Sequence, residues 1–540
     1  MNRSENISKL KTEKFDLLVI GAGASGSGVA LDASLRGLKV ALIEKGDFSC
    51  QTSSRSTKLI HGGVRYLEQA FTKFQFSQLK QVKHGLQERK YLLANAGHLS
   101  KPLGIITPVF STFEALYYTV GLKIYGFFAQ KDHLPAARWL SKKEAKLLSP
   151  DLSDDIHSAV MYFDGQLDDA RFALALAQTA HKSGAVVANY ISWQKFIFDA
   201  SGKISGIIAK DEDSGSEFTI NSKVVINCTG PFADNLRLSA NKEEEARIVP
   251  SKGVHMVLSK DFFKGDKAML IPKTKDGRLI FVIPFKKSIL VGTTDTPYQD
   301  IDREPLLEKN EAEFLLETLK NYVRKVPEFK DIKAGFGGVR PLLAAKTDRK
   351  NNNTKSLLRD HEVEFDEKSG LLSLLGGKWT TYRLMAEDAT DKVCEILGLD
   401  IVCKTHEYPL VGSENFEKLP KPVDVESDVF KHLQKTYGDR ADKVLKIVSE
   451  DISFGQRIHP EKQAIKAEVI YSIRNEMLIK PRDFFAQRLR WEILDWKITL
   501  ESVETVVGLM KQELKWTHEK SNSELSEYKI LLQSFIKTIS

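Results

Sequence analysis

One stretch restricts what this chain can fold into more than any other: KFDLLVIGAGASGSGVALDASLRGLKVALIE, residues 14–44. Residues 17–20 form an apolar run too short for a helix and stopped by glycine, which reads as a buried parallel strand. Gly21, Gly23 and Gly26 follow at once, and residues 29–36 read as a helix. The first glycine permits a tight turn, the second lets backbone approach a pyrophosphate, and the third lets the helix pack close to the strand. Phosphates then rest on the helix N-terminus, where free N–H groups and the dipole favour negative charge. A second strand, residues 39–43, ends at Glu44, placed to accept from a ribose hydroxyl. Strand, glycine turn, helix, strand and acid in that order predict a Rossmann-type dinucleotide site, against the plainer reading of a glycine turn in an ordinary βαβ unit.

The next segment selects the dinucleotide. Residues 52–68, TSSRSTKLIHGGVRYLE, are rich in hydroxyls and small side chains, and residues 376–383 read GGKWTTYR. A flavin enzyme needs a loop after the acid that lines the isoalloxazine ring and covers the pyrophosphate; a nicotinamide enzyme has no general need of one. Together the two runs resemble the FAD-dependent glycerol-3-phosphate dehydrogenase family, within the glycine-oxidase-like flavoproteins, over residues 14–400 and more loosely over the tail. The resemblance implies an FAD site made of Gly21, Gly23, Ser25, Gly26, Glu44, Ser53, Ser54, Thr57, Leu59, His61, Gly62, Val187, Gly230, Gly376, Gly377, Lys378 and Thr380. It also implies sn-glycerol 3-phosphate as substrate and a membrane quinone as electron acceptor.

A chain of 540 residues exceeds the ~250–300 residues one core usually holds, so several domains are expected. The fold class expected is α/β. It comprises a disordered leader (1–13), a Rossmann-type FAD-binding domain (14–247 and 346–402) and an antiparallel substrate-capping sheet (248–345). A proline-bearing linker (403–423) then leads to a helical C-terminal domain (424–540), in which Val503, Val506, Val507 and Met510 share one helix face. That tail is assigned packing and no chemistry. Residues 103–129 are apolar and aromatic but broken by Pro108, Glu114 and Lys123, so they read as core, dimer contact or an interfacial membrane segment, and not as a span.

The formal charge of +7 suits an anionic substrate or membrane surface, and no basic block points to nucleic acid. Cys50, Cys228, Cys394 and Cys403 form no CxxC pair and have no histidines at zinc spacing, so free thiols and no metal are expected. The N-terminus lacks the apolar core of a signal peptide and has two glutamates with little arginine, so a cytoplasmic protein is expected, on the inner face of the cytoplasmic membrane. A homodimer is left open.

Oxidising a secondary alcohol needs a group that takes the hydroxyl proton, cations for a phosphate dianion, and positive charge near the flavin N1–O2 edge. By resemblance, His255 is the expected base, Arg340 binds the substrate hydroxyls, and Lys378 sits at the flavin edge. Arg65, Tyr66, Thr293 and Arg359 are expected to hold the phosphate. Taken alone, a strand histidine is more often a satisfied core residue, and lone arginines are more often surface ion pairs. An oxidase that returns the electrons to oxygen as hydrogen peroxide is a close alternative, since the motifs around the flavin do not separate the two, while an amino-acid oxidase needs one carboxylate-binding arginine and not three candidates. A catalytically silent FAD-binding partner protein has no reason to keep several cations converging on a flavin.

Overall fold

The strand predicted at the first glycines is Lys14–Ile20, and it lies inside a sheet buried on both faces. The computed structural model describes residues 1–63, 77–129, 134–272, 274, 277–344, 361–422 and 425–539. The first sheet runs His361–Phe365, Leu372–Gly376, Glu217–Asn227, Lys14–Ile20, Val40–Ile43, Val186–Ala188. All neighbours in that order are parallel except the first pair. Its strands are continuous in Val, Leu and Ile because both faces are covered, one by helices and the other by the strands Ile191–Phe198 and Ile204–Asp211 with the helix Arg3–Thr12. The helices Ala24–Leu35, Asp169–Lys182 and Tyr382–Leu397 pack together on one side, sharing Val29, Phe172, Tyr382 and Ala386 in a single apolar cluster. Burial of side chains such as Val29 and Phe172 contributes about 1.5–3 kcal/mol each of transfer free energy.

The second sheet carries the strands expected of a cap: Ile248–Ser259, Ala268–Ile271, Ile280–Phe285 and Ser288–Gly292. Its long central strand, Ile248–Ser259, pairs antiparallel with both Ser288–Gly292 and Ile332–Leu343. The sheet does not begin at residue 248, however. Ala268–Ile271 pairs in parallel with Ser100–Val109, which pairs in turn with Ser158–Leu167. The FAD-binding domain expected over residues 14–247 takes in both of these strands. Nothing local in a strand announces a partner 160 residues away in sequence, so the boundary drawn at 248 follows composition and not pairing.

The leader is ordered, which corrects the expectation for residues 1–13. Arg3–Thr12 is a helix capped by Asn2, whose side chain accepts from the Glu5 N–H. Arg3 pairs with Asp211 at 2.6 Å, Asn6 Nδ2 donates to the Val187 carbonyl at 2.7 Å, and Leu10 is fully buried. With so few side chains turned inward, the helix had no apolar period to show. The aromatic stretch resolves into the strand Ser100–Val109 and the helix Thr112–Phe128, capped by Ser111. Among the described residues no helix is long and apolar enough to cross a membrane. The tail is helical, and Val503, Val506, Val507 and Met510 are buried along Trp496–Leu514.

Candidate active site

The cofactor segments converge where the strand Lys14–Ile20 ends. Gly21 has a φ of +103°, and a Cβ there would sit 2.7 Å from the Cys228 carbonyl oxygen. A Cβ on Gly26 would run into the Gly21 carbonyl oxygen, so helix and turn can close only on a bare backbone. Gly23 begins the helix Ala24–Leu35 without capping it through a side chain, and Ser53 Oγ accepts from the Ala24 N–H at 2.9 Å. Ser25 lies in that first turn. The Glu44 carboxylate accepts from the N–H groups of Ala22 at 2.8 Å and Gly46 at 3.1 Å, so this acid also ties the two loops together. Burial pushes its carboxyl above the usual carboxylate range.

Three further segments reach the same place. Trp379 Nε1 donates to the Ser53 carbonyl at 2.7 Å, and the His61 N–H to Thr380 Oγ1 at 3.2 Å. The Trp379 indole thus holds the loop that carries Ser53. The Gly62 N–H donates to the Tyr125 hydroxyl at 2.7 Å. Leu59 is buried, Gly376 and Gly377 turn with positive φ, and half-buried Lys378 follows them. Val187 pairs beside Leu42, and Gly230, with a φ of +57°, follows the strand Glu217–Asn227. A glycine turn, a helix start lacking its own side-chain cap and an acid at the next strand end fit the adenosine and pyrophosphate of FAD.

The residues expected on the substrate side, His255, Thr293 and Arg340, gather around the strand Ile248–Ser259. His255 lies directly opposite Phe336 on one neighbouring strand and Gly292 on the other. Its ring stacks on Phe336 with centroids 4.8 Å apart, and Nε2 lies 3.2 Å from Thr57 Oγ1. A Cβ on Gly292 would overlap the His255 ring, and one on Gly253 would overlap the Arg340 guanidinium. These two glycines therefore make room for the two side chains. Arg340 Nη2 donates to Thr293 Oγ1 at 3.1 Å and to the Thr294 carbonyl at 3.0 Å, and Nη1 lies 3.4 Å from Asp295. Burial, with the charges of Lys58 and Arg340, holds the His255 imidazole well below its usual proton affinity.

Arg65, Tyr66 and Arg359, the other expected phosphate ligands, lie outside the described residues. Other groups were not foreseen. Lys58 is fully buried and pairs with Asp169 at 2.8 Å, while also donating to the carbonyls of Ser54 and Ser56. From the C-terminal helical part, Arg490 reaches Asp169 at 3.1 Å and the Ser54 carbonyl, and Arg488 pairs with Asp47 at 2.6 Å. Arg55 and Arg482 grip Glu304, each at 2.6 Å. The tail assigned only packing thus holds the cofactor-lining loop. Lys58 lay inside the quoted motif and could have been weighed; the arginines gave no local signal.

Glu387, Cys403 and His406 bring ligand atoms within 4.8 Å of one another, a grouping the cysteine spacing did not suggest. Arg383 donates to Glu387 at 2.8 Å and to Cys403 Sγ at 3.7 Å, so the group is built around a guanidinium.

Comparison with known proteins agrees with this geometry. Residues 16–383 match the family model described as FAD dependent oxidoreductase. Residues 403–521 match the C-terminal domain of alpha-glycerophosphate oxidase. The probable mitochondrial glycerol-3-phosphate dehydrogenase of Caenorhabditis elegans is 40% identical over 532 residues, covering 96% of this chain and 73% of that protein. The mitochondrial glycerol-3-phosphate dehydrogenase of Bos taurus is 41% identical, covering 97% of this chain and 74% of its own. The glycerol-3-phosphate dehydrogenase of Bacillus halodurans, solved in complex with FAD, superposes with a TM-score of 0.78 at 28% identity, over 99% of this chain and 97% of that one. The curated relatives also correct one expectation: they are named mitochondrial, which overturns the cytoplasmic placement read from the N-terminus. A helix-forming leader poor in arginine was a weak basis for it. FAD is the cofactor, and the chain belongs to the FAD-dependent oxidoreductase family, in its glycerol-3-phosphate dehydrogenase branch.

Proposed function

We propose that this chain oxidises sn-glycerol 3-phosphate to dihydroxyacetone phosphate and that a membrane quinone receives the electrons. The observation that carries the reading is the adjacency of His255 to Thr57 of the flavin-lining loop, with Arg340 and Thr293 beside it in the same sheet. Kinship with glycerol-3-phosphate dehydrogenases over nearly the whole chain supports the substrate. Bound FAD would supply the acceptor for the hydride that leaves the substrate carbon and would pass the two electrons on. The neutral His255 imidazole accepts the hydroxyl proton. Arg340, with the Thr293 hydroxyl, orients the substrate hydroxyls, and Arg65, Tyr66 and Arg359 hold the phosphate. Lys378 supplies positive charge at the flavin N1–O2 edge.

A lipid-soluble acceptor calls for a membrane surface. The helix Thr112–Phe128 leaves Phe113 77%, Phe127 73% and Leu116 56% exposed, and the formal charge is +7. Apolar side chains unsheathed on one helix of a basic protein suit the headgroup region of an anionic bilayer, met peripherally. An oxidase using oxygen is the weaker reading, suggested by the shared motifs and by the description of the C-terminal family model.

Anaerobic mixing with sn-glycerol 3-phosphate should bleach the flavin, and a soluble quinone should restore it faster than air. Reoxidation by air at least as fast, with one hydrogen peroxide per flavin, would assign the oxidase reaction instead.

A further inference from the structure

The reading of His255 as base leaves one buried cation without a task. Lys58 follows Thr57, whose hydroxyl faces His255 Nε2, and no surface of its side chain is open to solvent. Its ammonium lies over the Phe336 ring, 4.7 Å from the centroid, and His255 is stacked on that same ring at 4.8 Å. Phe336 thus holds an imidazole and an ammonium within about 10 Å of each other, with little water between them to screen the charge. We infer that Lys58 is a positioning residue for His255: through the shared Phe336 ring and the Thr57–Lys58 turn it fixes the imidazole and keeps it in the proton-accepting form. The inference rests on His255 acting as the base.

The surrounding charges make the arrangement self-consistent. Among the described residues the cations acting on His255 are Lys58 and Arg340, and both oppose its protonation. Arg340 is offset by Asp295 at 3.4 Å. Lys58 shares Asp169 with Arg490, so one carboxylate serves two cations and leaves positive charge in excess. Asp168, 3.6 Å from Arg490, pairs also with Lys286 at 3.1 Å. The sharing also predicts that the pocket tolerates loss of the ammonium, since Asp169 keeps Arg490 as a partner. Burial lowers the Lys58 ammonium to about 8, so it is charged throughout the acid range where His255 titrates.

The test is the pH dependence of flavin reduction by sn-glycerol 3-phosphate in FAD-loaded wild type, Lys58→Met, His255→Ala and the double variant, by anaerobic stopped flow. In the wild type the rate should fall only in acid, well below the usual histidine value. Lys58→Met should move that acid limb upward by about one pH unit, as a unit charge within about 10 Å predicts at intermediate permittivity. Neither variant lacking His255 should show the limb. A merely structural lysine would lower FAD content or rate at every pH and leave the limb in place, and that result overturns the inference while His255 stands as base. A limb that survives His255→Ala overturns both. Should Lys58→Met not fold, Lys58→Gln keeps donors for the Ser54 and Ser56 carbonyls, and the same shift is expected.

Discussion

Arg340 donates through one nitrogen to both the Thr293 hydroxyl and the Thr294 carbonyl, at 3.1 and 3.0 Å, so the cation and the hydroxyl are held in one fixed alignment. A guanidinium suits this because its donors diverge in a plane, whereas an ammonium offers a single point. Arg340→Ala should therefore lower kcat/KM for sn-glycerol 3-phosphate by about tenfold to a hundredfold, the loss of ~1.5–3 kcal/mol typical of a charge-assisted contact. Arg340→Lys should recover little of it. Full recovery by lysine in steady-state assays would show that charge alone matters.

His255→Ala should slow flavin reduction by roughly 10²–10⁴-fold, the usual worth of a positioned base. Binding of a phosphate-bearing inhibitor should change little, because His255 is not among the groups assigned to that end. Titration of the inhibitor against flavin absorbance checks this, and equal losses in binding and rate would make His255 a packing residue.

Gly26→Ala should yield protein with little or no FAD, because its Cβ would collide with the Gly21 carbonyl at the turn. The ratio of flavin to protein absorbance after purification reads this directly. A fully yellow variant would mean that the turn can relax without losing the cofactor.

His98 is buried with both ring nitrogens lacking partners among the described residues, and burial, aided by Arg440 and Arg171, lowers it to about 3. The unfolded chain protonates this ring near its ordinary value of about 6.5, while the folded chain keeps it neutral. Unfolding is then increasingly favoured as pH falls from about 6.5 toward 3, by up to roughly 1.4 kcal/mol per pH unit for this ring. Urea denaturation of wild type and His98→Gln at pH of about 7 and about 5 should show a smaller loss on acidification in the variant. An identical loss would remove His98 from the acid response.

Phe113→Glu with Phe127→Glu should reduce co-sedimentation with anionic vesicles while leaving turnover with a soluble acceptor intact, since both side chains are more than two-thirds exposed. Undiminished vesicle binding would place the membrane contact elsewhere.

The cofactor half of the fold was legible because its signals are local. Strand, turn, helix and acid occur within residues 14–44, and the second flavin-lining run follows within 25 residues of Glu44. The strand carrying His255 falls within the sheet expected over residues 248–345, and its apolar run Val254, Met256, Val257 and Leu258 is a local signal too. What could not be read is pairing across distance: Ser100–Val109 joining Ala268–Ile271, or Arg490 closing on Asp169. Arg488 and Arg490 stand in a sequence of interspersed charges, and only tertiary contact distinguishes a buried arginine from a solvated one. Arg340 and His255 sit between these cases. Gly253 and Gly292 are the local trace of their bulk, visible in GVH and VGT but interpretable only once the strands are laid side by side.

Arg488 meets Asp47 across 441 residues, and Arg490 meets Asp169 across 321. A ribosome makes the whole nucleotide-binding half long before either arginine emerges. Until then Asp47 lacks Arg488, and the Ser54 carbonyl has Lys58 as a donor but not Arg490. The loop that follows Glu44 is therefore fully clamped only once synthesis has reached the C-terminal helices, so the last-made part of the chain closes the first-made part.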